Sequence, residues 1–420
     1  MNRAESSSSR NFMTTKTLRV LTEAAGLLRA PQRTLPLVSR LASDNLRTRF
    51  EHPHLYSYAD TTIPTADALR SLVRWILGAQ TPDGGIAAYY SLLTGYSASY
   101  PEVTGYIIPT LYDFAQLTAD SAARVAAERA TLWLLPLQMV SGTFPGGLQV
   151  SDSDAQASVF NTGQILQGLV RAHAETGNPE ILERAVAAGA WLTSIQQADG
   201  AWTGPAAYQG VAHTYYSMVS WALAQLAAQS GNLACGSAAD RNIDYVLAHI
   251  KPNGWIDGIN LKGHPAYLHF IAYVIQGTLE CGILRHRDDA IQAAAKPAWV
   301  LLRQFETHKR LLGTYEPDFR GGQRFACLTG EAQMSCVWLR LFEVTGDLRY
   351  LNAALKMNER LKQLLPRKGR RGVVSGVAGS YPIWGAYQPM RYISWGCKFL
   401  ADALMLEQRL TREFEASGCA

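Results

Sequence analysis

The stretch TGNPEILERAVAAGAWLTSIQQADGAW, residues 176–202, reads as one structural unit. It opens on a turn and runs into a helix with Ala and Leu at three- and four-residue spacing. It closes on a Gly-bearing loop, as a helix C-terminus prefers. The unit recurs. SGNLACGSAADRNIDYVLAHIKPNGW begins at Ser230 and TGDLRYLNAALKMNERLKQL at Thr345. Similar helices end before TPDGGI at 81–86 and TFPGGL at 143–148, and another ends at Gly313. That is six amphipathic helices.

After each loop comes a second, more apolar helix. The six lie at 102–117, 159–173, 213–228, 267–282, 328–344 and 392–408. Successive units are thus roughly 50–60 residues apart, a period that marks a repeat architecture. Amphipathic first helices and nearly all-apolar second helices describe two concentric rings, the first facing water and the second buried. The expected fold is all-α, an (α/α)6 toroid of six helical hairpins, with an open α-solenoid as the alternative. The toroid occupies residues 59–410. A basic, Ser-containing segment (1–58) precedes it and a tail (411–420) follows.

The chain has 420 residues, 48% hydrophobic and 17% charged, with a net charge of +5. That excess is compatible with an acidic ligand and, more commonly, with an ordinary solvated surface. The six cysteines form no C-x-x-C pair, and no histidine cluster has metal-ligand spacing. They read as small buried residues of a reduced protein. No metal, cofactor or nucleic-acid partner is implied. The first 50 residues lack the apolar core of a secretion signal, which implies a cytoplasmic protein. Residues 16–46 are expected to form an amphipathic helix packed on the body, with contact to a membrane surface as the alternative. No apolar run reaches about 18 residues, so no transmembrane helix is expected.

The second helices begin alike: Thr104-Gly105-Tyr106, Thr162-Gly163-Gln164, Thr214-Tyr215-Tyr216 and Thr329-Gly330-Glu331. Glu102, Asn161 and His213 stand just ahead. In a toroid these starts gather at one mouth of the central cavity, where helix N-termini favour an anionic ligand. Thr, Asn and Glu here also fit ordinary capping. The interhelical loops converge on the same mouth and carry Trp202, Tyr381 and Trp384. Flat aromatics stack on sugar rings, and others of their kind anchor loops in the core. The ligand expected is an oligo- or polysaccharide, acidic or neutral.

Gln196-Gln-Ala-Asp-Gly-Ala-Trp202 resembles the Q-x-x-D-G-x-W signature shared by α/α-toroid terpene cyclases and carbohydrate-active enzymes, a mark of architecture rather than activity. The D-x-D-D acid motif of the cyclases is missing; the nearest match is SDSDAQ at 151–156. YPEVTGYIIPTL, FNTGQILQGL, CLTGEAQM and GSYPIWGAY…WGCKFLADAL resemble VpsJ-type proteins of bacterial exopolysaccharide gene clusters, over most of residues 65–408. They are also faintly similar to the helical domain of glucuronyl C5-epimerases. The resemblance implies exopolysaccharide biosynthesis or modification and carries over no catalytic set.

Three functions fit the residue types. The first is proton abstraction at C5 of a uronate, by epimerisation or elimination. It needs a base, an acid and something to quiet the carboxylate. Tyr106, His213, Tyr215, Tyr216, Asn161, Gln164, His269, Arg391 and Lys398 supply these types, with Gln333 as a further substrate contact. The second is glycoside hydrolysis by two carboxyls, about 5–5.5 Å apart for retention or about 6.5–9.5 Å for inversion. Glu102 and Glu331 are its candidates, with Asp83, Asp199, Asp257 and Asp318 as loop partners. The third is glycan binding or scaffolding without turnover.

Overall fold

The computed structural model describes residues 63–148, 156–261 and 264–416. The helix expected over 16–46 lies outside them. Twelve α-helices form among the described residues. The outer six are α1 (Thr65–Ala79), α3 (Ser121–Leu134), α5 (Pro179–Ser194), α7 (Leu233–Ala248), α9 (Asp288–His308) and α11 (Leu348–Leu364). The inner six are α2 (Pro101–Thr118), α4 (Val159–Thr176), α6 (Ser217–Ser230), α8 (Leu268–Leu284), α10 (Leu328–Thr345) and α12 (Ser394–Ala416). The last helix thus runs six residues past the expected boundary at 410.

Hydrophobic period separates the two rings. On α11, Leu351, Ala354 and Leu361 are buried while Arg349, Asn352 and Lys356 are exposed, a stripe that faces the core on one side only. On α10 every residue from Leu328 to Leu339 is buried, as an inner helix with neighbours all round requires. Such helices approach closely where side chains are absent. A Cβ on Gly105 of α2 would lie 2.5 Å from Ile165 Cα of α4, so only glycine fits there.

Each inner helix packs against the next, and α12 packs back against α2. Thr110 Oγ1 of α2 donates to Asp402 Oδ1 of α12 at 2.7 Å, and Tyr106 stacks on Phe399 with ring centroids 6.1 Å apart. A strand pair closes the circle a second time: β1 (Tyr89–Ser91) runs antiparallel to β2 (Arg391–Ile393). The ring is therefore closed, an (α/α)6 toroid rather than an open solenoid.

The Q-x-x-D-G signature has a mechanical role. Gln196 Nε2 donates to Gly200 O of its own turn (3.1 Å) and to Ala238 O of the next outer helix (2.8 Å). Gln80 does the same to Gly84 and Ala126, and Gln138 to Gly142 and Arg184. One amide thus closes a turn and ties adjacent hairpins together. The turn needs glycine: Gly200 has φ +88°, and a Cβ there would lie 2.1 Å from Arg241 O. Cys235, Cys281, Cys327, Cys336 and Cys397 are free and buried. No described helix is long and apolar enough to cross a membrane.

Candidate active site

A cavity of about 610 Å³ opens among the starts of the inner helices. Its walls come from α2 (Glu102, Tyr106), α4 (Phe160, Asn161) and α8 (His269, Phe270, Tyr273). Tyr100, Tyr215, Tyr387 and Trp395 complete the aromatic lining. Glu102 and Tyr106 are one helical turn apart, as are His269 and Tyr273, so each pair shares one face of its helix. The two helices occupy opposite places in the inner ring, and Tyr106 and Tyr273 both line the cavity.

Glu102 is the one carboxyl among the described lining residues. Burial pushes its pKa up to about 7. The Tyr100 hydroxyl, which donates to Glu102 Oε2 at 2.5 Å, pulls the other way without overcoming that desolvation. Tyr100 also meets Asn161, whose Nδ2 donates to Pro145 O at 3.2 Å. Burial drives the hydroxyl pKa values of Tyr106, Tyr273 and Tyr387 well up, so these groups stay protonated and can donate. Trp395 Nε1 donates to Tyr387 Oη at 2.9 Å, fixing that ring in the wall.

His269 is held from behind. Its Nδ1 lies 2.5 Å from Gln333 Oε1. Burial lowers its pKa to about 3, so the imidazole is neutral.

Five of the residues singled out from sequence therefore line the cavity: Glu102, Tyr106, Asn161, Tyr215 and His269. The others lie elsewhere. The third inner helix begins later than expected, at Ser217, after a 3₁₀ turn over Thr214–Tyr216. His213 and Tyr216 consequently sit behind the wall and hold one loop residue from both sides. His213 Nε2 donates to Tyr208 O at 2.9 Å, and Tyr208 N–H donates to Tyr216 Oη at 2.8 Å. Tyr208 itself stands at the cavity rim.

Glu331 is fully buried in an ion pair with Arg360 of α11, outside the cavity lining. This corrects the expectation that Glu331 lies in the cavity mouth as an acid–base candidate for hydrolysis. Asp83 accepts from Thr81 and Ser99, Asp199 from Ala201 N, and Asp257 from Trp255 Nε1. Asp318 accepts from Asn253 Nδ2. These loop acids bind partners in their own or neighbouring loops, and none lines the cavity.

The two expected carboxylate-quieting cations do not reach it either. Lys398 Nζ binds Asp402 at 2.6 Å and lies over the ring of Phe399, while Arg391 donates to Gln388 and covers the Tyr89 ring. Gln164 is buried beside Gln167. Trp202 donates to Leu192 O at 2.8 Å from within the core. Tyr381 is buried in a short strand and Trp384 is half-buried; neither lines the cavity.

The sequence reading passed over Tyr100, Phe160, Phe270, Tyr273 and Trp395. One signal pointed to Tyr273: it follows His269 by one turn, as Tyr106 follows Glu102.

No protein-family model matches the chain, and no curated protein sequence matches it. Solved structures do. An unsaturated glucuronyl hydrolase specific for heparin superposes with a TM-score of 0.68 at 15% identity, over 83% of this chain and 98% of that one. The unsaturated glucuronyl hydrolase of Bacillus sp. GL1 gives 0.66 at 14%, over 83% and 97%. The cellobiose 2-epimerase of Spirochaeta thermophila gives 0.65 at 15%, over 83% and 96%. At such identities the likeness is one of fold. It extends over nearly the whole length of each of these toroids.

Proposed function

We propose that this chain is a saccharide-converting enzyme that moves a proton at a ring carbon, with Glu102 as the titrating acid–base group. One observation carries the reading: a carboxyl with a pKa near 7 stands in the wall of an aromatic cavity. A general acid–base works best when its pKa lies near the operating pH. The cavity volume falls in the range of about 300–1,000 Å³ usual for small-ligand sites, and Tyr, Phe and Trp walls suit the apolar faces of sugar rings. The sugar-directed activities named for the fold neighbours, glucuronyl hydrolysis and cellobiose 2-epimerisation, support a saccharide as the substrate.

The chemistry pairs two neutral groups. Protonated Glu102 delivers a proton to one face of the sugar, and His269 Nε2 on the opposing helix accepts one from the other. Transfer leaves a carboxylate and an imidazolium in the same low-dielectric cavity, where each charge favours the other. The weak basicity of the resting imidazole is thereby offset as Glu102 ionises. Carbon protons are acidic only beside a carbonyl or carboxyl group. The finer reading is therefore epimerisation or β-elimination at C5 of a uronate within an exopolysaccharide, in line with the VpsJ-type resemblance. The side-chain amides of Gln156 and Gln388 supply N–H donors for its carboxylate.

The test is incubation in D2O with uronate-containing and neutral glycans, followed by NMR, ultraviolet absorbance and reducing-end assays. Deuterium at C5 or an unsaturated uronate supports the reading. Exchange on a neutral sugar keeps the proton transfer and replaces the uronate. New reducing ends without exchange or unsaturation identify a hydrolase. Binding with no product identifies a glycan-binding toroid.

A further inference from the structure

We propose that Gln333 and Gln276 are positioning residues that hold His269 with its proton on Nδ1, so that the cavity meets an unprotonated Nε2. The proposal rests on the reading of the cavity as a proton-transfer site. A neutral imidazole carries one ring proton, and the hydrogen bond made by one nitrogen decides the role of the other. Burial keeps His269 neutral. Its two tautomers therefore differ in function: one offers the cavity a proton acceptor, the other only a donor.

The choice is made outside the cavity. Gln333 is fully buried on α10, and Gln276 is buried on α8 two turns beyond His269. Gln333 Nε2 donates to Gln276 Oε1 at 3.4 Å, which turns Gln333 Oε1 toward His269 Nδ1 at 2.5 Å. An amide oxygen accepts and cannot donate. The proton between them therefore belongs to Nδ1, and Nε2 keeps its lone pair. Tyr273 (ring centroids 4.2 Å away), Tyr387 and Phe399 enclose the rest of the ring and restrain its rotation. Neither glutamine lines the cavity. Their contribution runs through His269, as an outer hydrogen-bond partner sets the orientation of an imidazole in a metal site.

The experiment is long-range 1H–15N NMR on the full chain labelled at histidine, with His269→Asn identifying the His269 signals. The expected wild-type signature is a protonated Nδ1 and a bare Nε2. Gln333→Met keeps volume and removes the acceptor, so it should give a mixture of tautomers. It should also lower kcat roughly tenfold to a hundredfold with little change in KM. Gln333→Glu places a carboxylate on Nδ1 and should raise the imidazole titration above that of wild type. A wild-type spectrum with the proton on Nε2 overturns the proposal, and it needs no variant to fold. A Gln333→Met spectrum identical to wild type overturns it as well. The function reading fails separately: a chain that exchanges no sugar proton loses the reaction whatever its tautomer, and turnover with a protonated Nε2 loses only the role of Gln333 and Gln276.

Discussion

Glu102 and Glu331 begin two inner helices of the same ring; Glu331 is fully buried, and Glu102 is half-buried in the cavity wall. Burial raises the pKa of each. They differ in what faces them. Glu102 has a tyrosine hydroxyl and an open cavity; Glu331 has the guanidinium of Arg360. A buried carboxyl without a cation relieves its desolvation by taking up a proton, and that proton can be given away. A buried carboxyl beside a cation is fixed as half of an ion pair. The angular position of each residue decides between these outcomes. Glu102 is the second residue of α2 and Glu331 the fourth of α10. Two residues turn a helix by roughly 200°, from the lumen to the outer-ring side. The Thr-Gly-x register misleads here: it equates Glu331 with Tyr106, the sixth residue of α2, which lies one turn past Glu102 on the same face, whereas counted from the helix start Glu331 matches Thr104.

The sharpest way to break this contrast is to remove the ionisable group from each helix in turn. Glu102→Gln keeps shape and most hydrogen bonding. Turnover should fall roughly 10²–10⁴-fold, as for loss of a general acid–base, with the circular dichroism spectrum unchanged. A full-rate Glu102→Gln enzyme would remove Glu102 from the chemistry.

Arg360→Met should act on stability instead. Breaking a buried pair leaves an uncompensated charge and costs about 3–5 kcal/mol. Denaturant melts should show that loss, while the rate per folded molecule stays at the wild-type value. Glu331→Leu combined with Arg360→Met should recover much of the stability, because neither charge then remains buried. A folded Arg360→Met protein with lost turnover would return Glu331 to the list of reactive groups.

The contrast also has a pH signature. Glu102 titrates near 7 in the folded chain, against 4.5 for an unperturbed glutamate. Between those values the folded chain holds a proton that the unfolded chain has released. The associated stability is therefore complete below pH 4.5 and is lost as pH rises through 7, by about 3 kcal/mol. Urea midpoints measured across that window should fall in wild type. Glu102→Gln should lack this component, and identical pH profiles for the two proteins would place the Glu102 pKa near its ordinary value.

The toroid was legible because its signals are local and repeated. Apolar spacing separates outer from inner helices, and the glutamine–glycine turns mark hairpin ends that Gln80, Gln138 and Gln196 physically tie together. The site was legible only in part, because facing the lumen depends on rotation and on where each helix begins. Four residues of delay at α6 take Tyr216 behind the wall and leave Tyr215 in it. Trp395 is the second residue of α12, as Glu102 is of α2. Tyr100, however, precedes its helix and Tyr387 reaches the cavity from the chain before α12, so no period relates these two to the inner-helix register. The same holds for Arg360. Nothing around Glu331 in sequence announces that an outer helix supplies its partner from 29 positions away.

The smallest effect tests the neutral partner of Glu102 by itself. The Tyr100 hydroxyl donates to the Glu102 carboxyl and stabilises its charged form. In Tyr100→Phe the ring remains to fill the wall while the donor is gone, so desolvation acts with less opposition. The Glu102 titration should move upward by about one pH unit, the equivalent of a hydrogen bond worth about 1.4 kcal/mol. If Glu102 is the general acid, the alkaline limb of the kcat/KM profile should shift by the same amount in the same direction, while the limb remains absent in Glu102→Gln. Tyr100 would thus tune the group without supplying its charge, whereas Arg360 abolishes the availability of Glu331 altogether. A downward shift would mean that the Tyr100 hydroxyl favours the protonated carboxyl. An unmoved alkaline limb would show that a group other than Glu102 sets it.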